Sequence, residues 1–133
     1  MKFNEISADS WPELRPYLDT CVLPLTGLSG QEEPWQVTAE LERLRDVLEW
    51  VELPFRGRIV TYPAVQYAFT HGVTEYVDSL CSNLKAGGFR YVIVLTASEQ
   101  FEQMTFTADL FYSPIRGSAA DLKNQLQALW QGV

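Results

Sequence analysis

The near-continuous apolar run at residues 89–95 constrains the fold of this sequence more than any other feature. It contains Val92, Ile93, Val94 and Leu95 in succession, with no polar residue among them. Such runs are typical of a central strand in a parallel sheet, which is buried on both faces, whereas a half-exposed strand alternates apolar and polar residues. Parallel neighbours are joined by crossover connections, so this strand predicts helices packed on the faces of a sheet.

Amphipathic patterns on either side of this run supply the helices. At residues 34–52 the apolar residues recur at intervals of three and four, which predicts a helix with one buried face. A second helix is predicted at residues 74–86, and a last helix begins near the N-cap Ser118. The predicted buried face of the first helix consists of Val37, Leu41, Leu44, Val47, Leu48 and Val51. The other predicted elements are strands at residues 20–25, 58–62 and 105–112, a short helix near Trp11 and a helical turn at residues 98–103.

The order of these elements, β-α-β-α-β-(α)-β-α, predicts a single α/β domain over residues 1–133. We expect a three-layer sandwich around a mostly parallel four-stranded sheet with right-handed crossovers, similar to Rossmann-like folds. A chain of 133 residues suits one domain, and its linkers are too short for a domain boundary. Pro24 has no N–H for a sheet ladder, so we expect it at the end of the first strand or at a sheet edge.

The charge and the cysteines narrow the classes of function. A net charge of −7 argues against broad binding to nucleic acid or to anionic membranes, because both rest on clustered lysine and arginine. No stretch approaches the roughly 18 apolar residues of a membrane span, and residues 1–5 lack a signal-peptide pattern, so we expect a cytoplasmic protein. In that reducing compartment Cys21 and Cys81 are predicted to be buried, inert thiols. One histidine and the lack of a CxxC motif exclude a zinc site built from histidine and cysteine.

Binding residues are expected at the carboxyl ends of the strands, where open parallel sheets place their ligand sites. Four predicted segments lie there, at residues 26–33, 62–71, 96–99 and 113–118. The aromatic residues of the second segment favour an element that covers a pocket or a subunit interface. The candidate binding residues of these segments are Glu32, Tyr62, Tyr67, Phe69, His71, Ser98, Glu99 and Arg116.

Catalytic and cofactor chemistry is supported by fragments of motifs only. The glycine loop at residues 27–30 precedes a helix, but the two glutamates that follow it place negative charge where a phosphate would bind and suit the positive end of the helix. Carboxylate and imidazole ligands allow a metal site formed by Glu32, His71 and Glu99. Ser98 as a nucleophile with His71 as its base is a further candidate catalytic arrangement, although no GxSxG motif is present. No GxGxxG or GxxxxGK[ST] motif occurs, so we expect no cofactor.

Two stretches of the sequence resemble the YpiF-like family of small, uncharacterised proteins from Bacillus-type bacteria. They are residues 1–25 and residues 53–63, the second of which begins Leu-Pro-Phe-Arg-Gly-Arg. The resemblance implies relatedness over most of the chain. It implies no activity, because none is assigned to that family.

The layout is also similar to that of the creatininase family of metal-dependent amidohydrolases. Residues 22–27 resemble the first strand of that family, and residues 84–94 resemble a later strand with the pattern Gly-Phe, a basic residue and an apolar run. The resemblance implies a related scaffold, in which metal-binding loops would follow these two strands. This chain has no histidine in either loop, so no catalytic residue carries over, and only Glu32 or Glu99 would occupy a former ligand position.

These patterns favour a non-catalytic cytoplasmic protein that binds a protein partner or a small ligand at the strand-end face. This prediction is based on two observations: the apolar residues follow the pattern of a folded core, and no complete catalytic or cofactor motif is present. We expect Tyr67 and Phe69 to take part in partner binding or self-association, so a homo-oligomer is one form that the partner can take. The alternative is a small metal-dependent hydrolase, similar to amidohydrolases, that uses the metal trio named above, with Arg116 gripping an anionic substrate.

Overall fold

A computed structural model describes residues 1–66 and 71–132 of the chain. Its centre is a five-stranded sheet, and every strand pairing among these residues is parallel. The strands are β1 (Thr20–Thr26), β2 (Ile59–Thr61), β3 (Val65–Gln66), β4 (Tyr91–Thr96) and β5 (Leu110–Tyr112). The helices are α1 (Trp11–Leu14), α2 (Pro34–Glu52), α3 (Val73–Ala86) and α4 (Ala119–Gln131), with short 3-10 turns at Phe3–Glu5 and Glu99–Phe101.

Strands β1 and β4 occupy the middle of the sheet, whose order is β2-β1-β4-β5. All seven residues of β1 are buried, and so are Val92 to Thr96 of β4, with Cys21 in register with Val92. Strand β3 pairs with the end of β1, beyond the end of β2. The central buried strand that the apolar run predicts is therefore confirmed.

Helices cover both faces of the sheet and give three layers. On one face α2 and α4 pack on Val22, Ile93 and Leu95, with Leu122 and Leu126 fully buried. On the other face α3 and the segment before β5 pack on the alternate residues of β1 and β4. The predicted α/β sandwich is confirmed, because successive side chains of a strand point to opposite faces and both faces here are apolar.

The details of the sheet differ from the sequence-based prediction in two places. The sheet has five strands instead of four, because Val65 and Gln66 pair with the end of β1. The last strand is short: of residues 105–112, only Leu110 to Tyr112 pair with β4. Phe106 is buried instead under the sheet face, where its ring makes an edge contact with Phe111 at 4.9 Å. The alternation of this segment therefore reflects packing against the core and not a longer ladder.

Pro24 lies inside the central strand β1, so the prediction that it marks a strand end or an edge is wrong. The N–H of Tyr62 donates to the carbonyl of Val22 at 2.8 Å, so the backbone groups of Val22 face β2. By alternation Pro24 faces the same side. There β2 pairs with residues 20–22 and β3 with residues 25–26, and Pro24 falls in the gap between them. A missing donor costs nothing at a position that has no partner strand.

A closed ring of contacts holds α4 to the amino end of the sheet. The Trp130 indole N–H donates to the Thr20 hydroxyl at 2.8 Å, and that hydroxyl donates to Asp19 at 3.0 Å. Asp19 accepts two hydrogen bonds from Arg58, at 2.9 and 3.0 Å. The Arg58 guanidinium lies 4.3 Å from the centroid of the Trp130 ring, which completes the ring of contacts. This end of the sheet is opposite to the strand-end face, so these side chains stabilise the fold without contributing to the site.

Cys21 and Cys81 are free, buried thiols, as predicted. Burial raises the pKa of Cys21 to about 12 and that of Cys81 to about 11, with the nearby Cys81 adding to the effect on Cys21. At neutral pH both groups are therefore protonated, which makes them poor nucleophiles.

Candidate functional site

The carboxyl ends of β1 and β4 form the topological switch point of the sheet. These two strands are neighbours, but from β1 the chain continues to β2 on one side and from β4 it continues to β5 on the other. Where the connections of adjacent parallel strands leave in opposite directions, their loops separate and leave a crevice, which is where open α/β sheets bind ligands. The structure has such a crevice at this point, which we call the strand-end groove.

The strand-end groove has two parts with volumes of about 370 and 560 Å³. The loops after β1, β4 and β5 line it, together with α2 from Gln36 to Val47. Four residues line both parts: Glu40, Arg43, Ser98 and Gln100. The first part is lined in addition by Gly27, Leu28, Glu32, Gln36 and Ala39. The second part is lined in addition by Asp46, Val47, Ala97, Glu99 and Pro114. Three of the predicted binding residues therefore line the same groove: Glu32, Ser98 and Glu99.

The first half of α2 forms one wall of the groove because the core does not cover it. The buried residues of α2 begin only at Leu44, and Leu41 is 41% exposed. The prediction of one buried face along the whole helix is therefore wrong for Leu41 and correct only in part for Val37, which is half-buried.

The Glu32 side chain folds back and bonds the glycine loop that precedes it. Its carboxylate accepts hydrogen bonds from the N–H groups of Ser29 and Gly30 at 3.0 to 3.1 Å and from the Ser29 hydroxyl at 3.0 Å. These are the backbone donors that a phosphate would need. At the N-cap of α2, the Glu33 N–H donates to the Gln36 side chain at 2.8 Å. The Glu32 carboxylate thus fills the place in the glycine loop where an anion would bind.

The hydrogen bonds to Glu32 make its loop sensitive to acid. The N–H groups of Ser29 and of Glu32 itself, followed by the Ser29 hydroxyl and the Gly30 N–H, lower the pKa of this carboxyl below its ordinary value. A lowered folded-state pKa means that the contribution to stability is present above the unfolded-state pKa and is lost as the pH falls through the folded-state value.

We therefore expect the Ser29 and Gly30 amide resonances to titrate in an NMR pH series with a midpoint below that of an ordinary glutamate. Glu32→Gln should remove this titration, because the amide cannot ionise. Glu42→Gln, at an exposed position of α2, is the matched control and should leave it intact. A Ser29 midpoint at the ordinary value in the unmodified chain would contradict the assignment.

Ser98 and Gln100 form the other wall of the groove. The Ser98 hydroxyl accepts from the Gln100 N–H at 3.3 Å and so caps the short turn Glu99–Phe101. The Ser98 N–H in turn donates to the Thr96 hydroxyl at 3.1 Å. A Cβ at Gly27 would collide with the Gln100 carboxamide, so this glycine lets Gln100 lie across the end of β1. Among the described residues, the Ser98 hydroxyl is thus bonded to Gln100 and acts as the cap of this turn.

His71 does not join Glu32, Glu99 or Ser98 in the groove. It is exposed and immediately precedes Gly72, the N-cap of α3, which packs on the face opposite to α2. Within residues 1–66 and 71–132, no three histidine, cysteine or carboxylate side chains are placed so that they could hold a metal ion. The arrangement that the hydrolase alternative requires is thus not assembled in this part of the chain.

Arg116 is committed to a contact network outside the groove. Its guanidinium donates to Glu102 at 2.9 Å and lies 4.6 Å from the centroid of the Phe111 ring. Glu102 also accepts from the Ser113 hydroxyl at 2.9 Å, so the pair fixes the turn after β5. The structure therefore shows Arg116 in a contact beside β5, and its role in gripping an anion stays a prediction.

Of the aromatic candidates, only Tyr62 lies within the described residues. Its ring makes an edge contact with Phe3 at 5.1 Å and packs on the α3 face of the sheet, away from the groove. Tyr67 and Phe69 lie outside the described residues, so their role in binding or self-association stays a prediction.

The sequence-based analysis missed the face that α2 presents to the groove. Its members recur at helical spacing on the side of the helix next to the buried face, and they are Gln36, Ala39, Glu40 and Arg43. That spacing is visible in the sequence. It does not by itself indicate a groove, because polar residues at helical spacing are equally typical of a solvated helix face.

Comparisons with known proteins connect this fold to one family. A family model described as a protein of unknown function, DUF2487, matches residues 9–125. No curated protein and no solved structure matches the chain. The matched residues include all five strands and both loops of the strand-end groove. No helix among the described residues has the length and apolar character needed to cross a membrane.

Proposed function

We propose that this chain, which belongs to the DUF2487 family of proteins of unknown function, is a non-catalytic binding protein whose strand-end groove takes a protein partner or a small ligand. The observation that carries the proposal is the place of the groove, at the switch point between β1 and β4. A crevice at this position is the usual ligand site of open parallel sheets.

The chemistry of the groove supports binding over catalysis. Its polar side chains are engaged in holding the loops, since Glu32 bonds Ser29 and Gly30, and Ser98 caps the turn that contains Glu99. Nucleophilic catalysis needs a base within hydrogen-bond reach of the attacking oxygen. Among the described residues, the hydroxyl of Ser98 has Gln100 and not such a base beside it.

The finer features of the proposal concern kinship and location. The segments that resemble the creatininase family, residues 22–27 and 84–94, fall on the neighbouring strands β1 and β4 and on the end of α3, which supports a related scaffold. The YpiF-like resemblance is proposed on the residues quoted above. Two free, buried cysteines suit a reducing compartment, which supports a cytoplasmic location. The net charge of −7 supports a partner other than nucleic acid.

Filling the groove tests this proposal. Ala39 is exposed on the groove wall, so Ala39→Trp should block the groove without disturbing the core. Thr38→Trp adds the same side chain at an exposed position that does not line the groove and is the matched control. We expect the unmodified chain and Thr38→Trp to capture the same proteins from cell extract. Ala39→Trp should capture these proteins in amounts about tenfold lower or less. An identical set of captured proteins on all three chains would place binding elsewhere.

A further inference from the structure

We propose that the second part of the strand-end groove binds a lysine or arginine side chain presented by a basic segment of a partner protein. This inference rests on the proposed function and names the kind of partner that the groove takes. It goes beyond that proposal because it names one occupant, a basic side chain, which the apolar floor and the charges of the groove walls favour.

The floor of this part of the groove is apolar and is formed by three residues from three elements. Val47 lies on α2, Ala97 follows β4, and Pro114 follows β5. Val47 is buried, Ala97 is half-buried and Pro114 is exposed, so the floor runs from the edge of the main core to the surface. Lysine and arginine lay their aliphatic stems along such apolar surface while the charged head stays in water.

Carboxylates stand on both sides of this floor. Asp46 lies on the α2 wall and Glu99 on the opposite wall, in the turn after β4. The carboxylate of Glu99 makes no hydrogen bond or ion pair with the described part of the chain. Asp46 has one partner, Arg45 at 3.4 Å, and both of these side chains are more than 60% exposed. An ion pair between such exposed groups contributes little, so Asp46 is available to another cation.

The other charges of the groove are already balanced. Arg43 forms an ion pair with Glu40, three residues before it on α2. Glu32 is held by the donors of its own loop. The least balanced charges of the groove are therefore negative, on either side of an apolar floor: Glu99 has no side-chain partner in the described part of the chain, and Asp46 has only its exposed pair with Arg45. This charge pattern favours a cation over an anion in the second part of the groove.

The shape of the groove favours a protein segment over a free amine. Next to the apolar floor, the groove continues into its first part, which is lined by Gln36 and Gln100. Their carboxamide oxygens accept from the Glu33 N–H at 2.8 Å and from the Ser98 hydroxyl at 3.4 Å. Carboxamides both donate and accept hydrogen bonds, as the backbone of a bound segment requires. A free polyamine would use only the two carboxylates and leave this part empty.

The test compares a peptide of about ten residues that alternates lysine and alanine with the same peptide carrying glutamine for lysine. The double variant Asp46→Asn/Glu99→Gln removes the two carboxylates, and Asp9→Asn/Glu13→Gln removes the same charge from exposed positions before β1. We expect the lysine peptide to bind the unmodified chain and the control variant within twofold of each other, and to bind the groove variant about tenfold more weakly. The glutamine peptide should bind all three weakly, and added salt should reduce the difference for the lysine peptide.

Three outcomes would overturn the inference. One is equal affinity of the lysine peptide for both double variants, and another is no binding of that peptide to the unmodified chain. The third is a spermine affinity as high as that of the lysine peptide, which would make the groove a site for free amines. The proposed function fails separately, when Ala39→Trp captures the same proteins as the unmodified chain. If Ala39→Trp loses its captured proteins while the groove variant retains them, the groove is the binding site and its partner is not basic.

Discussion

Replacing Trp130 by alanine is expected to lower the free energy of unfolding by about 3 kcal/mol, the lower end of the range for large aromatic residues, because the ring is only partly buried. The substitution removes the edge contact with Phe55 at 4.8 Å and the ring beneath the Arg58 guanidinium. It also removes the hydrogen bond to the buried Thr20 hydroxyl. Urea unfolding followed by circular dichroism measures the change.

Trp130→Phe separates packing from hydrogen bonding in this contact. It keeps most of the ring and loses the indole N–H, so we expect a loss of only about 1 kcal/mol. A loss below about 1 kcal/mol for the alanine variant would contradict the view that the ring of contacts around Trp130 fastens α4 to the sheet. Equal losses for the two variants would show that the hydrogen bond, and not the packing, is what stabilises α4.

Replacing Thr96 by valine is expected to cost about 2 kcal/mol and to disturb the groove at the same time. The Thr96 hydroxyl is fully buried, donates to the Leu25 carbonyl at 2.7 Å and accepts from the Ser98 N–H at 3.1 Å. Valine has the same shape without the hydroxyl, so it removes a bond between β4 and β1 and leaves a buried backbone group without its partner. The loop that carries Glu99 would then lose one of its anchors.

Thr96→Ser is the matched control, because serine keeps the hydroxyl. Its loss should be smaller than that of valine, and its amide NMR spectrum should resemble that of the unmodified chain at residues 97–100. The valine variant should show shifted amide resonances there. If the serine and valine variants are equally destabilised, the methyl group and not the hydroxyl carries the stabilisation at this position.

The layers of the fold could be predicted because their signals are local. The apolar run of β4 and the helical spacing of α2 each lie within one stretch of sequence, and α2 begins and ends where the pattern predicts, at Pro34 and Glu52. The Ser118 hydroxyl also caps α4 as predicted, by accepting from the N–H of Asp121. Patterns of this kind need no knowledge of which elements become neighbours.

The features that could not be predicted depend on neighbours. Pro24 is compatible with a central strand only because β2 ends and β3 begins opposite it, and a three-residue strand such as β2 has no distinctive pattern. The pairing of two residues that makes β3 is equally invisible in the sequence. A proline rule applied without the sheet order therefore placed this residue wrongly.

The members of the candidate site could be predicted only in part, because element order gives the position of a residue but not its contacts. Parallel strands bring their carboxyl ends together, so Glu32, Ser98 and Glu99 could be placed near one another from element order alone. Arg116 follows β5 and satisfied the same rule, but its guanidinium turns to Glu102 and Phe111. The direction of a long side chain depends on contacts that the element order does not contain.

The most direct test of the central claim is an amide NMR titration of the unmodified chain with the lysine-alanine peptide, which shows where binding occurs. The account predicts that the largest shift changes fall in the loop after β4, at residues 97–100, and on the groove side of α2 from Arg43 to Val47, with smaller changes at residues 27–30 and at Ala39. The same titration of Ala39→Trp should leave these resonances unchanged. Shift changes confined to residues outside the strand-end groove, or equal in the two chains, would contradict the claim that this groove is the binding site.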